Sequence, residues 1–481
     1  MRSAGYELPQ GLDQETRKDT GAFYTPPEIV DFMVEELLRG RKEPLSICDA
    51  ACGGGAFLEG VLRYVRKNEP AKYKSYCQKL YGIDINPKAV ELARKNLPDL
   101  PEENLICADT LELDFTKKPY DIIIGNPPYL CGGLKNNPAF SAERQEKLKK
   151  RFPESFEYKM NLFALFIEQS SRMADEFMVI VPDSLLCGRY FSRLRRYLTE
   201  KWEIKLIALL EKPGFDAAPG NGVIFQACKK EKEGTKGRCV LIPPGRFEKS
   251  KFQFHSFDQK EFLKEERCRF QLCFSETEEK IISKIKRGGT PLKEEIRFAS
   301  GIIARGGKKS IIKTRAAEGC EPGIIYGREI KPFEVHHEGA FIDLKPEKIK
   351  SGLKHERYCG EKIFLRQTGS RLIAAVSREK MYALNNCHIG TAKGKFPVET
   401  VAALLNSEVM NFYYEYLSGE NNKNFAQIDI DLLNHLPLRR SEEFDRFAKK
   451  CTSSPEARKE LDKRCADLYG LTGEELAFIK K

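Results

Sequence analysis

The chain has 481 residues, of which 41% are hydrophobic and 31% are charged, a balance that excludes disorder as the main state and indicates two or three folded domains. It has no apolar run of the roughly 18 to 20 residues that span a bilayer, and its N-terminus lacks the apolar core of a signal peptide, so we expect a cytoplasmic protein without a membrane partner. The net charge of +11 is uneven: residues 1–240 contain 37 Lys and Arg against 35 Asp and Glu, and residues 241–481 contain 44 against 35. A basic excess in one half is compatible with a polyanion-binding surface there, and also with no such partner.

Cysteine and histidine usage limits the chemistry. The 15 cysteines are scattered without a C-x-x-C pair, so we interpret them as reduced thiols and expect no metal site. All six histidines lie in the second half of the chain, beginning with His255. The first half therefore uses neither an imidazole base nor a histidine metal ligand.

In chain order, Pro26-Pro27 predicts the start of a helix, and short apolar runs then alternate with helical stretches. One such helix, Leu162–Met173, falls between the fourth and fifth apolar runs. The alternation predicts an α/β fold, a doubly wound, Rossmann-like sheet of seven strands. The predicted strands are Leu45–Asp49, Lys79–Ile85, Asn104–Cys107, Asp121–Gly125, Phe177–Pro182, Glu203–Leu210 and Gly222–Cys228.

The pattern changes after about residue 236, where prolines and dense charge replace the strand–helix alternation. We place a domain boundary between Lys230 and Arg246, which gives domains of 1–240 and 241–481. The second domain is predicted to be mixed α and β, and its charged tail, Ser441–Lys481, is predicted to form helices.

Three segments of the first half place polar or glycine residues where predicted strands end. Asp49 and Ala51 precede the glycines 53–55, which allow a sharp turn and a close ligand approach. Asp84 ends the second strand, 31 residues after Gly53, which disfavours dinucleotide binding of the G-x-G-x-x-G type. Asp109 follows the third strand. Each feature alone also fits a structural turn or a helix cap.

The fourth segment is more specific, because an apolar strand runs directly into Asn126-Pro127-Pro128-Tyr129. The prolines lack an N–H group and fix the backbone so that carbonyls point outward, Asn126 adds a side-chain carbonyl, and Tyr129 adds a flat aromatic face. Two acceptors beside a stacking surface match an exocyclic amino group on a planar base. A structural turn accounts for a single proline but much less well for the whole tetrapeptide.

Together these motifs resemble the adenine-specific, S-adenosylmethionine-dependent DNA methyltransferases of the TaqI type. The segment from Gly21 to Pro27, with its Tyr-Thr-Pro core, resembles the motif that precedes the family's glycine loop, and 126–129 resembles its catalytic tetrapeptide. This motif order is that of the gamma class. The segments 403–407 and 430–437 resemble parts of the family's target-recognition domain, so that the likeness extends over about residues 17–440.

The resemblance implies a role for each matching residue. Asn126 and the Pro127 carbonyl would accept hydrogen bonds from the adenine amine, and Tyr129 and Phe215 would stack on a flipped-out base. Thr25, Asp49, Ala51 and Gly53 would surround the methionine part of S-adenosylmethionine. Asp84 would bind its ribose, and Asp109 and Phe166 its adenine.

The basic half supplies candidate contacts to double-stranded DNA. Arg305, Lys308 and Lys309 lie in a glycine-containing stretch of 15 residues, 301–315, that has five cations and no acid, and Arg328 and Arg371 lie in similar stretches. A solvated surface loop explains each of them equally well. By the resemblance we expect a monomer that acts on DNA, with a separately encoded restriction endonuclease as a further partner.

Other functions share part of this pattern. Asn-Pro-Pro-Tyr also occurs in enzymes that methylate protein glutamine or an rRNA base, but these lack a large basic C-terminal domain. Cytosine N4 methylation uses the same chemistry, usually with Ser in place of Asn126. A DNA-specificity module without catalytic activity is disfavoured by the intact glycine loop, Asp84 and Asn126.

Overall fold

The protein is described by a computed structural model that covers residues 25–115, 118–129, 141–158, 160–211, 221–230, 236–243, 247–265, 267–419 and 427–480. Contacts within the chain divide it into two compact units, residues 1–275 and 276–481. The predicted site residue Phe215 and the segment 21–24 lie outside the described residues.

The first unit is built on one nine-stranded sheet. Its strands are β1 (Ile47–Asp49), β2 (Leu80–Asp84), β3 (Leu105–Cys107), β4 (Tyr120–Gly125), β5 (Ala174–Pro182), β6 (Trp202–Leu210), β7 (Gly222–Lys229), β8 (Gly237–Ile242) and β9 (His255–Phe257).

The strand order is β3-β2-β1-β4-β5-β7-β6-β8-β9. Strands β1 to β5 are parallel, whereas β7 lies between β5 and β6 and is antiparallel to both. All seven predicted strands are present, but the count of seven was wrong, and the sheet is mixed. Strand β8 pairs with β6 and β9 pairs with β8, which extends the sheet beyond the last predicted strand.

Helices cover both faces of this sheet. They do so because both faces are apolar. In β4, for example, Ile122 and Ile124 belong to the core on one face, and Ile123 belongs to the core on the other. The helices are α1 (Pro27–Leu38), α2 (Ala56–Asn68), α3 (Tyr73–Lys79), α4 (Pro87–Asn96), α5 (Ala142–Arg151), α6 (Leu162–Met173), α7 (Ser184–Cys187) and α8 (Ser192–Lys201). Helices α1, α2 and α4 pack on the first face, and α6 and α8 on the second.

The first unit extends further along the chain than the sequence indicated. The fully buried Arg195 of α8 donates to the main-chain carbonyls of Leu185, Gly188, Arg267 and Cys268, at 2.8 to 3.1 Å. Phe270 then stacks on Phe225 of β7, with ring centroids 6.0 Å apart. These contacts attach the chain up to residue 275 to the sheet, whereas our sequence-based boundary lies after residue 240.

The second unit combines several small sheets with helices. Its strands are β10 (Thr290–Pro291), β11 (Ile296–Ser300), β12 (Ile303–Ala304), β13 (Ile312–Lys313), β14 (Cys320–Ile324), β15 (Ile330–Lys331), β16 (Glu334–Val335), β17 (Phe341–Asp343), β18 (Ile349–Ser351), β19 (Lys362–Arg366), β20 (Ala374–Ser377), β21 (Tyr382–Ala383), β22 (Cys387–Ala392) and β23 (Pro437–Leu438). Two four-stranded sheets have the orders β11-β22-β19-β20 and β13-β17-β14-β21. The predicted mixed α and β composition is confirmed.

Helices of the second unit are concentrated near the C-terminus. They are α9 (Glu276–Lys286), α10 (Leu292–Glu295), α11 (His355–Tyr358), α12 (Val398–Asn406), α13 (Glu408–Ser418), α14 (Ile430–Leu433), α15 (Glu442–Ser453), α16 (Pro455–Lys459), α17 (Leu461–Tyr469) and α18 (Gly473–Ile479). The tail after residue 441 is helical as predicted, and Thr400 of α12 donates to Asp445 of α15 at 2.7 Å. Within the described parts of both units, no helix is long and apolar enough to cross a membrane.

Replacing Arg195 with Met should destabilise the first unit by on the order of 3 kcal/mol, because four buried carbonyls lose their shared donor. The measurement is urea unfolding followed by the fluorescence of Trp202, the single tryptophan, which lies buried in β6 of the same unit. The matched control is Arg196→Met, at a half-exposed position on the same helix. Equal unfolding midpoints for the two variants would contradict the role of Arg195.

Candidate active site

Several of the predicted site residues that the structure describes meet where the parallel strands β1, β2 and β4 end. A cleft at this edge is lined by Asp49, Ala50, Ala51, Ile123, Ile124, Gly125, Asn126, Pro127, Phe166, Ser170 and Val179. The carboxyl edge of an open α/β sheet is the usual position of a ligand site in such folds. Five predicted residues line this cleft. The end of β1 supplies Asp49 and Ala51, the end of β4 supplies Asn126 and Pro127, and helix α6 supplies Phe166.

The glycine loop is held by two carboxylates. The N–H group of Ala51 donates to Asp49 Oδ1 at 3.1 Å, and that of Gly53 donates to Asp84 Oδ2 at 2.9 Å. Gly53 and Gly55 both have a positive φ, 52° and 88°, so the turn needs residues without a Cβ. The loop therefore positions Asp49 and Asp84 toward the same edge of the sheet.

Both carboxylates are desolvated without a compensating cation. Burial and the neighbouring Asp84 raise the pKa of Asp49 to about 7, and burial raises the pKa of Asp84. Within the described ranges, neither group forms an ion pair with a lysine or an arginine. A site with this charge favours a cationic ligand, which would restore the ionised form of Asp49.

Sequence reasoning missed the contribution of Gly125, which precedes Asn126 at the end of β4. A Cβ at this position would lie 2.6 Å from Asp49 Oδ1. The absence of a side chain thus allows the acidic end of β1 to pack directly against the start of the Asn-Pro-Pro-Tyr segment. A glycine immediately before the tetrapeptide is visible in the sequence, but its contact partner is not.

Asn126 is oriented by two neighbours. Its Nδ2 donates to the hydroxyl of the buried Thr25 at 3.1 Å, which directs Oδ1, the acceptor end of the amide, away from Thr25. The Tyr129 hydroxyl is hydrogen-bonded to this Oδ1 and also lies 3.0 Å from the Ile180 carbonyl. Burial raises the pKa of the Tyr129 hydroxyl, so it stays protonated as a donor. The acceptor oxygen of Asn126 thus already has a donor.

Asp109 lies one strand further along the edge. One of its oxygens accepts from the Leu111 N–H at 3.0 Å, and the other accepts from the Arg144 guanidinium of α5. A carboxylate has about four lone-pair positions, so it can accept from a further donor. Thr110 anchors this segment to the glycine loop by donating to the Ala50 carbonyl at 2.6 Å.

A second residue that sequence reasoning missed connects Asp109 to Phe166. The fully buried Gln169, one turn after Phe166 on α6, donates through Nε2 to the carbonyls of Thr110 at 2.7 Å and Leu113 at 3.0 Å. It holds the segment after Asp109 against the helix that carries Phe166. A polar residue on a buried helix face was the signal in the sequence.

The five predicted DNA contacts of the second unit differ in their surroundings. Arg305 donates through Nε to the Ile349 carbonyl at 3.0 Å, and Lys308 and Lys309 are exposed. Arg328 makes a two-pronged ion pair with Glu338, at 2.9 and 2.8 Å, and Arg371 pairs with Glu408 at 2.5 Å.

Solved structures show that the fold is that of restriction–modification proteins with a methyltransferase sheet. A type IIL restriction-modification enzyme, MmeI, in complex with DNA is similar over 98% of this chain and 79% of that chain, with a TM-score of 0.59 and 13% sequence identity. The chain in a DrdV–DNA complex is similar over 90% of this chain and 57% of that chain, with a TM-score of 0.56 and 13% identity.

Sequence comparison defines the family. The family model described as N-6 DNA Methylase matches residues 6–287, and that of the TaqI-like C-terminal specificity domain matches residues 323–438. The first match covers more than half of the chain. The chain therefore belongs to the N-6 DNA methylase family and carries a TaqI-like specificity domain, which confirms the resemblance seen in its motifs.

Individual relatives are similar at lower identity. The type II methyltransferase M.TthHB8I of Thermus thermophilus is 25% identical over 373 residues, which is 76% of this chain and 78% of the relative. The type II methyltransferase M.CvrRI of Paramecium bursaria Chlorella virus XZ-6E is 28% identical over 249 residues, half of this chain. The match spans 58% of the length of the viral relative.

Replacing Gly125 with Ala should cost about 1 to 3 kcal/mol of unfolding free energy, because the added methyl overlaps Asp49. Trp202 fluorescence during urea unfolding measures this cost. In an Asp49→Ala background the obstructing oxygen is gone, so the same substitution should cost much less. Equal costs in the two backgrounds would contradict a steric origin.

Proposed function

We propose that the protein is a DNA methyltransferase of a restriction–modification system and that it methylates the N6 amine of an adenine flipped out of duplex DNA. The observation that carries this proposal is the orientation of Asn126, whose amide oxygen is directed away from Thr25 and serves as a hydrogen-bond acceptor. A separately encoded restriction endonuclease would be the partner activity. Family membership supports the reaction type.

The adenine amine is a weak nucleophile because its lone pair is delocalised into the ring. In our proposal Asn126 Oδ1 and the Pro127 carbonyl accept hydrogen bonds from its two N–H groups, which favours a pyramidal nitrogen and stabilises the positive charge that develops on it. Once it carries the methyl group, the nitrogen would release one proton to solvent. The amine would replace the Tyr129 hydroxyl on Oδ1. Tyr129 would then present its ring to the base, with Phe215 as the predicted second stacking partner.

S-adenosylmethionine fits the charge of the proposed cofactor site. It carries a sulfonium and an ammonium group, and its chemistry is to supply an electrophilic methyl group. The buried carboxylate of Asp49, which forms no ion pair with a described lysine or arginine, matches these positive charges. Thr25, Ala51 and Gly53 would complete the methionine end, Asp84 would accept from the ribose hydroxyls, and Asp109 and Phe166 would bind the adenine.

Positioning is the main contribution of this chain to the proposed reaction. Thr25 fixes the amide of Asn126, and Gly125 allows the end of β4 to pack against Asp49. Fixed acceptors at a developing charge and alignment of the reacting atoms together lower a barrier by several kcal/mol as an order of magnitude. Transfer to an amine in this way needs no imidazole base, in agreement with the absence of histidine before residue 255.

An Asn126→Ala variant should bind S-adenosylmethionine normally but methylate DNA about 100-fold more slowly or worse, because the amine loses one acceptor. Single-molecule sequencing of DNA from cells that express wild type or variant identifies the modified base and its sequence context. Isothermal titration calorimetry checks cofactor binding. N4-methylcytosine in place of N6-methyladenine, or undiminished methylation by the variant, would overturn the proposal.

Cofactor affinity should increase as the pH rises from 6 to 8. The pKa of Asp49 is about 7 in the folded protein, above the value of about 3.9 in the unfolded chain. In the absence of cofactor, the protonated carboxyl therefore contributes fully to the stability of the fold below about pH 4, and this contribution is lost as the pH rises through 7. A cationic cofactor binds the ionised form, whose fraction increases about tenfold between pH 6 and pH 8.

Calorimetric titrations across this pH range measure the dissociation constant. The Asp49→Asn variant, which cannot ionise at this position, serves as the control and should bind more weakly and without this pH dependence. A wild-type affinity that is flat between pH 6 and pH 8 would contradict the assignment of Asp49.

A further inference from the structure

Three segments of the second unit are joined into one cluster by one main-chain and one side-chain hydrogen bond. The Gln367 N–H donates to the Asn386 carbonyl at 2.9 Å, and Asn386 Nδ2 donates to the Ile325 carbonyl at 2.6 Å. Gly327 lies between the other two segments, since a Cβ there would be 3.8 Å from Arg366 Cγ and 3.7 Å from the Asn386 carbonyl. The segments 325–329, 366–367 and 386 are therefore neighbours.

The first of these segments is fixed by the buried carboxylate of Glu329. It accepts from the N–H groups of Ile325 and Tyr326, both at 2.7 Å, and from that of Glu338 at 3.1 Å. Tyr326 is 46% exposed, and the Arg328 guanidinium lies 4.3 Å from the centroid of its ring. An ordered loop thus presents an exposed aromatic ring next to Arg328, and its Gly327 lies against Arg366.

Arg366 ends strand β19 and is held at two points. Its backbone N–H donates to the Ile373 carbonyl at 3.1 Å, and its side-chain Nε donates to the Ile330 carbonyl at 2.8 Å. The second contact fixes the plane of the guanidinium and leaves the four N–H groups of its terminal nitrogens for other acceptors. The fork is thus oriented before any ligand arrives.

Arg366 differs from two other arginines of this unit in how its charge is balanced. Partial burial lowers the pKa of its guanidinium, and across the described residues no carboxylate pairs with it. Arg328 and Arg371, in contrast, pair with Glu338 and Glu408. A guanidinium that is partly desolvated and unpaired is costly, and the cost is offset if an external acceptor completes its hydrogen bonds.

The cluster also contains a buried amide. Asn386 is 91% buried, and none of the described residues donates a hydrogen bond to its Oδ1. An oriented arginine fork on β19 and an exposed aromatic ring on the neighbouring loop together suit the edge of a base better than a phosphate. Exposed, flexible cations such as Lys308 and Lys309 are the usual phosphate contacts.

We propose that Arg366 recognises a guanine of the target sequence, with its terminal nitrogens donating to O6 and N7 in the major groove. This geometry is the common two-pronged contact between arginine and guanine. The inference rests on the proposed function, because it takes double-stranded DNA as the substrate. It makes Arg366 a specificity-determining residue outside the five cations that the sequence indicated.

The test compares Arg366→Ala and Arg366→Lys with wild type in cells that lack other DNA methylation. Single-molecule sequencing of the genome gives the methylated motif of each. Wild type should methylate a motif that contains a guanine, and both variants should accept other bases at that position, with discrimination reduced roughly 10- to 100-fold. The matched control is Arg297→Ala, an exposed arginine on β11 of the same unit, which should keep the motif.

Lysine keeps the charge but loses the planar fork, so it separates base recognition from phosphate binding. Two outcomes would assign Arg366 to a phosphate and overturn the proposal. One is an unchanged methylated motif with Arg366→Lys. The other is a loss of DNA binding that is equal on all sequences and comes with a smaller salt dependence. A wild-type motif without guanine would overturn it as well.

Two controls keep the result interpretable. Thermal unfolding and S-adenosylmethionine binding show whether each variant is folded, and if Arg366→Ala does not fold, Arg366→Lys alone decides the outcome. Failure of the proposed function would appear differently, as an absence of methylated adenine with wild type itself.

Discussion

The contact between the Asp49 carboxylate and the backbone of Gly125 is the constraint on which the candidate site depends. It joins the end of β1, which leads into the glycine loop, to the end of β4, which leads into Asn-Pro-Pro-Tyr. A side chain at residue 125 would separate the two. Because the carboxylate is buried there and no lysine or arginine of the described ranges pairs with it, the same contact that assembles the site also gives it an affinity for positive charge.

Hydrogen bonds beyond this contact set the direction of each reactive group. The Asn126 amide donates through Nδ2 to the Thr25 hydroxyl and accepts through Oδ1 from the Tyr129 hydroxyl. Gln169 links the segment after Asp109 to the helix of Phe166. The site is thus ordered by side chains from four separate parts of the chain, and a ligand would replace a bond already present at Asn126 instead of creating the geometry.

The strands and the order of the motifs could be predicted from the sequence because both are local patterns. Apolar runs indicated β1 to β7, and Asn126 to Tyr129 was specific enough to identify the family. Strands β8 and β9 were not predicted, since they join the sheet by pairing with β6 and with each other. The contribution of Arg195 depends on carbonyls more than 70 residues away, which no local pattern records.

The same limit applies to the basic half. Composition indicated Arg305, Lys308, Lys309, Arg328 and Arg371 as candidates, but pairing with an acid is a property of the folded chain. Arg366 differs from Arg328 only in what surrounds it, and that difference appears once Ile330, Gly327 and Asn386 are placed beside it.

Glu329 stabilises the 325–329 loop through main-chain N–H groups, which every residue except proline has. A substitution at Tyr326 or Arg328 therefore changes the exposed side chain and leaves the supporting hydrogen bonds in place. Such a loop can acquire new side chains by single mutations while its backbone stays the same. In a DNA methyltransferase of the kind proposed above, this separation of scaffold from surface is a route by which sequence specificity can change without loss of the fold.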